Sequence, residues 1–567
     1  MCFAPHPAPP PLLSSLTAHR PLPDTAAIHI LSGLLSDTTT AASLRPQKTF
    51  APHDKPKPNP IRVPPPSQIA LLTTLIIHPS FTTRPPETNN LHIASHAHTY
   101  LRGLLGTVGA VNANFRAAFD FTPTPTASSA TTTPHTNNTS STRTTTTANG
   151  RRARSNSTSS AASTTSSDAD VLSGAFARSQ LVFRRAADFW AVLGWAFRCA
   201  AEHPHRWRCW RVWLEFVVGV LEADFDERLA RDQREEEDGG YPALAGALVV
   251  GYVEVLRRER RNVVGQVLRG VFAFSDGENS ASDRAVFQEV FEREAVVGFK
   301  SKRKRGEAAV VDLENDRFGD YLDGEEEVEE DDEEGQAEED DEPATPWPQK
   351  GRRSKGKGKA ATTPSFTLTD DIAETVPFRL RIFRLLSGVS YYLPSAFAPA
   401  DELYERFTHH VRGLPLPMFQ LFVSSRPPLL PEDVQVLLLR EVLDAMLPRH
   451  PDPADVDPDH GAGSDVSALV LERCFLPFAA NRVTAEDNAK LSITLESLLW
   501  FYYARIGVED AEGLRGAVEK GIKAREDRIK RRGAGKADAA DKAAREALAR
   551  SARNLRALVD VVEVGGV

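Results

Sequence analysis

Residues 300–359 carry more charge than a folded core tolerates, and they divide the apolar stretches of the chain into two groups. Lys300, Lys302, Arg303, Lys304 and Arg305 open the segment. Between 323 and 342, 15 of 20 residues are acidic, and Lys350, Arg352, Arg353, Lys355, Lys357 and Lys359 follow. Like charges at this density repel and bring no apolar surface to bury, so 299–365 is predicted to be a disordered basic–acidic–basic linker. The formal net charge of −9 comes wholly from the acidic run, and the rest of the chain is mildly basic. Such asymmetry points to contact with a basic partner or with nucleic acid.

Two further stretches are predicted not to fold. Residues 1–65 are Pro-rich, interrupted by one short helix from Asp24 through Ile28, Leu31 and Leu35. Residues 122–170 form a Ser/Thr tract containing Arg151, Arg152 and Arg154 beside Ser155, with almost no bulky side chain whose burial could offset ordering entropy.

The remaining segments read as helix. Residues 66–121 repeat apolar side chains at the helical period: Ile69, Leu72 and Leu75, then Leu101, Leu104, Leu105, Val108 and Val111. Block 171–298 lacks strand alternation and hairpin turns. In block 366–523, Pro377 fits the first position of a helix carrying Leu380, Phe383, Leu386 and Val389, and Asp401 fits the cap of one carrying Leu403, Phe407 and Val411. Pro431 opens a helix with Val434, Leu438, Val442 and Met446. Thr484, with Asp487 three residues on, matches a capping box before Leu491, Leu495, Leu498 and Tyr502. The basic, Ala-rich tail 524–567 reads as partly helical over 537–561, with a thin stripe of Leu548, Leu555 and Leu558 that is expected to dock. The predicted fold is all-α: an irregular helical bundle or α-solenoid-like body with long disordered inserts, in one body or two.

Five of the seven tryptophans lie close together: Trp190, Trp195, Trp207, Trp210 and Trp213. Pro204, between His203 and His205, marks a turn between two helices, and the second helix is apolar on two sides, as a helix sandwiched between others must be. Core nucleation is the first reading of this cluster. Three functional readings stand beside it. Trp207, Trp210 and Glu215 resemble, over one short stretch and in one copy, the aromatic-and-Glu pattern of half-TPR repeats in RNA-processing scaffolds. Arg206, Arg208 and Arg211 interleave with the rings, as a base-stacking surface requires. Cys199, His203, His205 and Cys209 supply four zinc-competent ligands across the turn, although their spacing matches no common zinc module.

Catalytic signatures are missing. No complete phosphate loop, dinucleotide-binding glycine motif, H-E-x-x-H or G-x-S-x-G occurs. The four cysteines are too few for a disulfide framework. The first residues lack a secretory signal's charged start and apolar core, and no apolar run is long enough for a membrane span. The expectation is a non-enzymatic nuclear scaffold or adaptor without a cofactor, imported through 300–305 and binding protein partners, basic ones such as histones among them. Chromatin, repair and ribosome assembly are the settings it fits. The alternative is direct nucleic-acid binding through the Arg/Trp segment and the basic tail.

Overall fold

The computed structural model describes residues 63–84, 90–121, 176–235, 240–259, 262–273, 280–295, 366–424, 428–448, 450–461, 463, 466–506, 511–530 and 539–565. The helix expected from Asp24, the whole Ser/Thr tract, and the charged segment with Lys300, Lys302, Arg303, Lys304 and Arg305, the residues expected to serve import, lie outside them. Every regular element among the described residues is helical and none is a strand. None of these helices is long and apolar enough to cross a membrane.

Helix α1 (Pro66–Leu75) begins on a proline and is buried from Gln68 onward. Thr73 and Thr74 turn their hydroxyls back to the carbonyls of Ile69 and Ala70, which lets both side chains be buried without loss. Helix α2 (Asn90–Val108) packs on α1. Helix α3 (Phe189–Glu202) is capped by Asp188, whose carboxylate accepts from Ala191 N at 2.7 Å. His203 then breaks the chain direction, and Pro204 occupies the first turn of α4 (Pro204–Asp232). At 29 residues, α4 runs about 44 Å at 1.5 Å per residue. It is the central helix, in contact with α2, α3, α5 (Leu248–Glu259) and α7 (Thr375–Tyr392). Trp207, Trp210 and Trp213 have no exposure at all, as the two-sided apolar pattern predicts.

Helix α6 (Val263–Val271) lies on α3 so closely that a Cβ on Gly270 would stand 2.9 Å from the carbonyl oxygen of Trp190. Past the undescribed segment come α7, α8 (Ala400–Gly413), α9 (Leu416–Val423), α10 (Glu432–Met446), α11 (Ala485–Ile506), α12 (Ala511–Lys530) and α13 (Ala539–Gly565). The two sequence blocks share one hydrophobic core. Phe272, from the first, stacks on Phe422 of the second and leans on Phe407. Arg381 of α7 grips Glu222 of α4 at 3.0 and 2.6 Å. The α4–α7 pairing joins residues 159 positions apart, so helices from the two blocks pack directly on each other.

Cationic side chains from one element repeatedly take the carbonyls left over at the end of another. Arg206 donates to Ile77 O beyond α1 (2.7 Å), and Lys490 to Arg412 O in the last turn of α8 (2.8 Å). Arg379 donates to Val271 O and Ala273 O at the end of α6, and lies 4.1 Å over the ring of Phe197. Arg525 donates to Leu476 O and Phe478 O beyond a π turn at Leu471–Phe475. Arg379 and Arg525 are wholly buried among carbonyls, and desolvation lowers their pKa values to about 9 and about 10.

Several boundaries differ from the sequence reading. Helix α7 starts at Thr375, because Thr369 caps a short preceding turn; Pro377 falls within the first turn, where a missing N–H costs no bond. Asp401 stands inside the first turn of α8, where its charge suits the helix dipole, and Pro399 occupies the cap. Helix α12 runs straight through the boundary expected at 523/524. Thr484 does cap α11: its Oγ accepts from Asp487 N at 3.0 Å.

Candidate functional site

The tryptophan hairpin surrounds a charge with no access to water. Arg206 enters from the first turn of α4 and meets Glu294, and neither side chain has any exposure. Arg206 Nε donates to Glu294 Oε1 at 2.9 Å, and its Nη1 donates to Thr82 and Thr83 hydroxyls at 3.0 and 3.3 Å. Trp210 Nε1 donates to the same Oε1 at 2.6 Å, and Phe291 N to Oε2 at 3.2 Å. One ion pair thus ties three stretches of chain: the end of α1, the start of α4 and residues 291–294. Taking either partner from such a buried pair costs about 3–5 kcal/mol, because the other charge stays behind uncompensated.

The same hairpin places the residues singled out for nucleic acid and for zinc. Arg206 turns inward to Glu294 instead of lining a surface, and the three rings of α4 offer no face on which a base could stack. Arg208 is exposed, and Arg211 is ion-paired with Glu374, which also accepts from Trp207 Nε1 at 3.1 Å. Of the three interleaved arginines Arg206 alone turns inward, while Arg208 and Arg211, three positions apart on α4, are both exposed. Cys199 is fully buried, and burial pushes its thiol well above the ordinary range. Cys209 is half-buried and raised for the same reason. Burial lowers the pKa values of His203 and His205, whose rings lie 6.2 Å apart. Among the described residues no group of three or more His, Cys, Asp or Glu side chains is placed to hold a metal ion. His410, likewise lowered by burial, stacks on Phe272 at 4.9 Å.

The sequence reading missed an aromatic cluster at the far end of α7, of which Tyr391 is exposed and Tyr392 and Tyr241 are partly buried. Tyr391 is 74% exposed. Its ring lies 4.9 Å from Tyr392, which lies 4.9 Å from Tyr241 of the first block. Burial raises the pKa of Tyr392, and Tyr241, Tyr391 and Asp433 add to the rise. On α10, burial and then Asp444, Glu405 and Asp401 raise the pKa of Glu441. A periodic signal for Tyr391 existed. It follows Arg384 by seven residues and so falls on the polar side of α7, off the stripe of Leu380 and Phe383. A large aromatic in that position has no core to enter. No family model, no curated protein and no solved structure matches the chain.

Proposed function

We propose that this chain is a non-enzymatic helical scaffold that holds protein partners in the nucleus. The observation that carries the reading is the exposed ring of Tyr391 at the end of α7, packed on Tyr392 with Asp433 nearby. Exposed tyrosines on rigid elements are frequent anchors of protein interfaces, since a large amphipathic ring is ordered at little entropic cost. Asp433, close enough to Tyr392 to raise its pKa, favours a basic segment, such as a histone tail, over an acidic one. The acidic run at 323–342 would extend the attraction at long range, and the basic residues at 300–305 would serve import; both come from the sequence alone.

Titrating the purified full-length chain with histones tests the proposal. Tyr391→Ala is expected to weaken binding about 30-fold, the effect of losing an anchor of about 2 kcal/mol. Deleting 323–342 is expected to weaken binding at low salt and flatten its salt dependence. Histone affinity unmoved by both changes would defeat the reading.

A further inference from the structure

We infer that the outward faces of α12 and α13 form one cationic surface that binds the phosphate backbone of a nucleic-acid duplex without reading its sequence. The inference goes beyond the scaffold reading and uses none of the residues around Tyr391.

The two helices lie antiparallel. Arg556 grips Glu519 through two hydrogen bonds at 2.7 and 2.9 Å, and Arg515 reaches Asp560 at 2.7 Å. Leu514, Val518 and Ile522 of α12, with Ala552, Leu555 and Val559 of α13, face the core. The register set by those ion pairs brings two (i, i+3) cation pairs to one level: Lys520 and Lys523 on α12, Arg550 and Arg553 on α13. All four are exposed, as is Lys542 further along, and none of the five has a carboxylate at ion-pair distance among the described residues. The cations whose charge is already matched (Arg515, Lys530, Arg545 and Arg556) are a separate set. Packed helices stand about 8–10 Å apart, so the quartet forms two rows on the scale of duplex grooves, which are about 6–12 Å wide.

The rest of the surface decides which polyanion fits. Every other exposed position of the two helices is charged, with the carboxylates Glu519, Glu526, Glu546 and Asp560 in the minority, or is Gly, Ala or Asn: Gly516, Ala549, Ala557 and Asn554 are examples. A protein interface draws most of its affinity from buried aromatic and apolar anchors, and this face offers none. Single-stranded nucleic acid is held by stacking on aromatic rings, again absent among its described residues. Small side chains between cations do allow a smooth, regularly charged backbone to approach, and duplex phosphates have that form.

The test is fluorescence anisotropy of the full-length protein with a labelled duplex of scrambled sequence, in DNA and RNA versions. The K520E/K523E/R550E/R553E variant is expected to lose affinity at least about tenfold and to flatten the salt dependence by about four in log K against log salt, about one unit for each phosphate no longer neutralised. Its helicity and melting temperature should match wild type, since all four side chains are exposed. Replacing Lys300, Lys302, Arg303, Lys304 and Arg305 by Ala should leave most duplex affinity in place, and Tyr391→Ala should leave all of it. Undiminished binding by the four-site variant would overturn the inference. So would displacement of the duplex by polyglutamate at equal charge concentration, which would assign the face to acidic proteins.

Discussion

Glu294 accepts hydrogen bonds from Arg206, Trp210 and Phe291, and beside this junction a histidine is held neutral. His78 is 7% exposed, ringed by Phe81, Phe176 and Phe291 at 4.8–5.9 Å, with its Nδ1 accepting from Ser80 N. Burial, helped by the positive charges of Arg206, Arg185 and Arg84, lowers its pKa from 6.5 to about 4. Above pH 6.5 neither the folded nor the unfolded chain binds this proton. Between 6.5 and about 4 only the unfolded chain does, so stability falls as pH drops through that window and levels off below it. The expected loss is about 3 kcal/mol, from about 1.4 kcal/mol per pKa unit. His98, His203, His205 and His410 are shifted in the same direction. Urea midpoints measured from pH 7.5 to 4.5 should therefore decline, and His78→Asn, which keeps an acceptor for Ser80 N, should decline less steeply. Parallel pH profiles for the two proteins would refute this assignment.

At the scale of elements, close approach and borrowed caps matter more than intrinsic propensity. Helix α12 carries glycines that an isolated helix would disfavour. Gly521 has a tertiary reason: a Cβ there would lie 1.9 Å from Leu476 O, the carbonyl that Arg525 reaches from the next turn of the same helix. Gly521→Ala must push α12 off the π turn and weaken the hydrogen bonds of Arg525. It should cost at least the 1–3 kcal/mol typical of overpacking, although alanine is the better helix former. Chemical denaturation that finds the variant as stable as wild type would contradict the packing. Nothing in the sequence distinguishes Gly521 from Gly516, which has open space around it. Thr484 and Pro204 were legible because caps and first-turn prolines act through neighbouring residues. The carbonyl acceptors of Arg379 and Lys490 were not, since more than 70 residues separate each donor from its acceptor.

For the whole molecule, the tail is structural as well as basic. Helix α13 lies along α11, placing Leu555 and Val559 in the main core and Leu548 in a satellite cluster with Ile529 and Ala485. Each such side chain contributes about 1.5–3 kcal/mol on burial, and a whole domain has only about 5–15 kcal/mol to lose. A chain ending at Lys530 should thus bind hydrophobic dyes, melt with little cooperativity and self-associate, because the bared stripe of α11 is long and apolar. A monomeric, cooperatively melting truncation would show that α13 is dispensable.

The helical class, the Pro204 turn, the buried tryptophans and the docking stripe of α13 were determined by the sequence alone. Each follows from the spacing of apolar residues or from capping chemistry, which operate within a few turns of chain. Tertiary structure alone decided that the blocks on either side of the charged segment share one core, and that Arg206 turns inward to Glu294 while Arg208 stays in water. It also decided which lysines and arginines of the tail are already matched by carboxylates. Those outcomes depend on which distant group arrives opposite a side chain, and local periodicity carries no information about that.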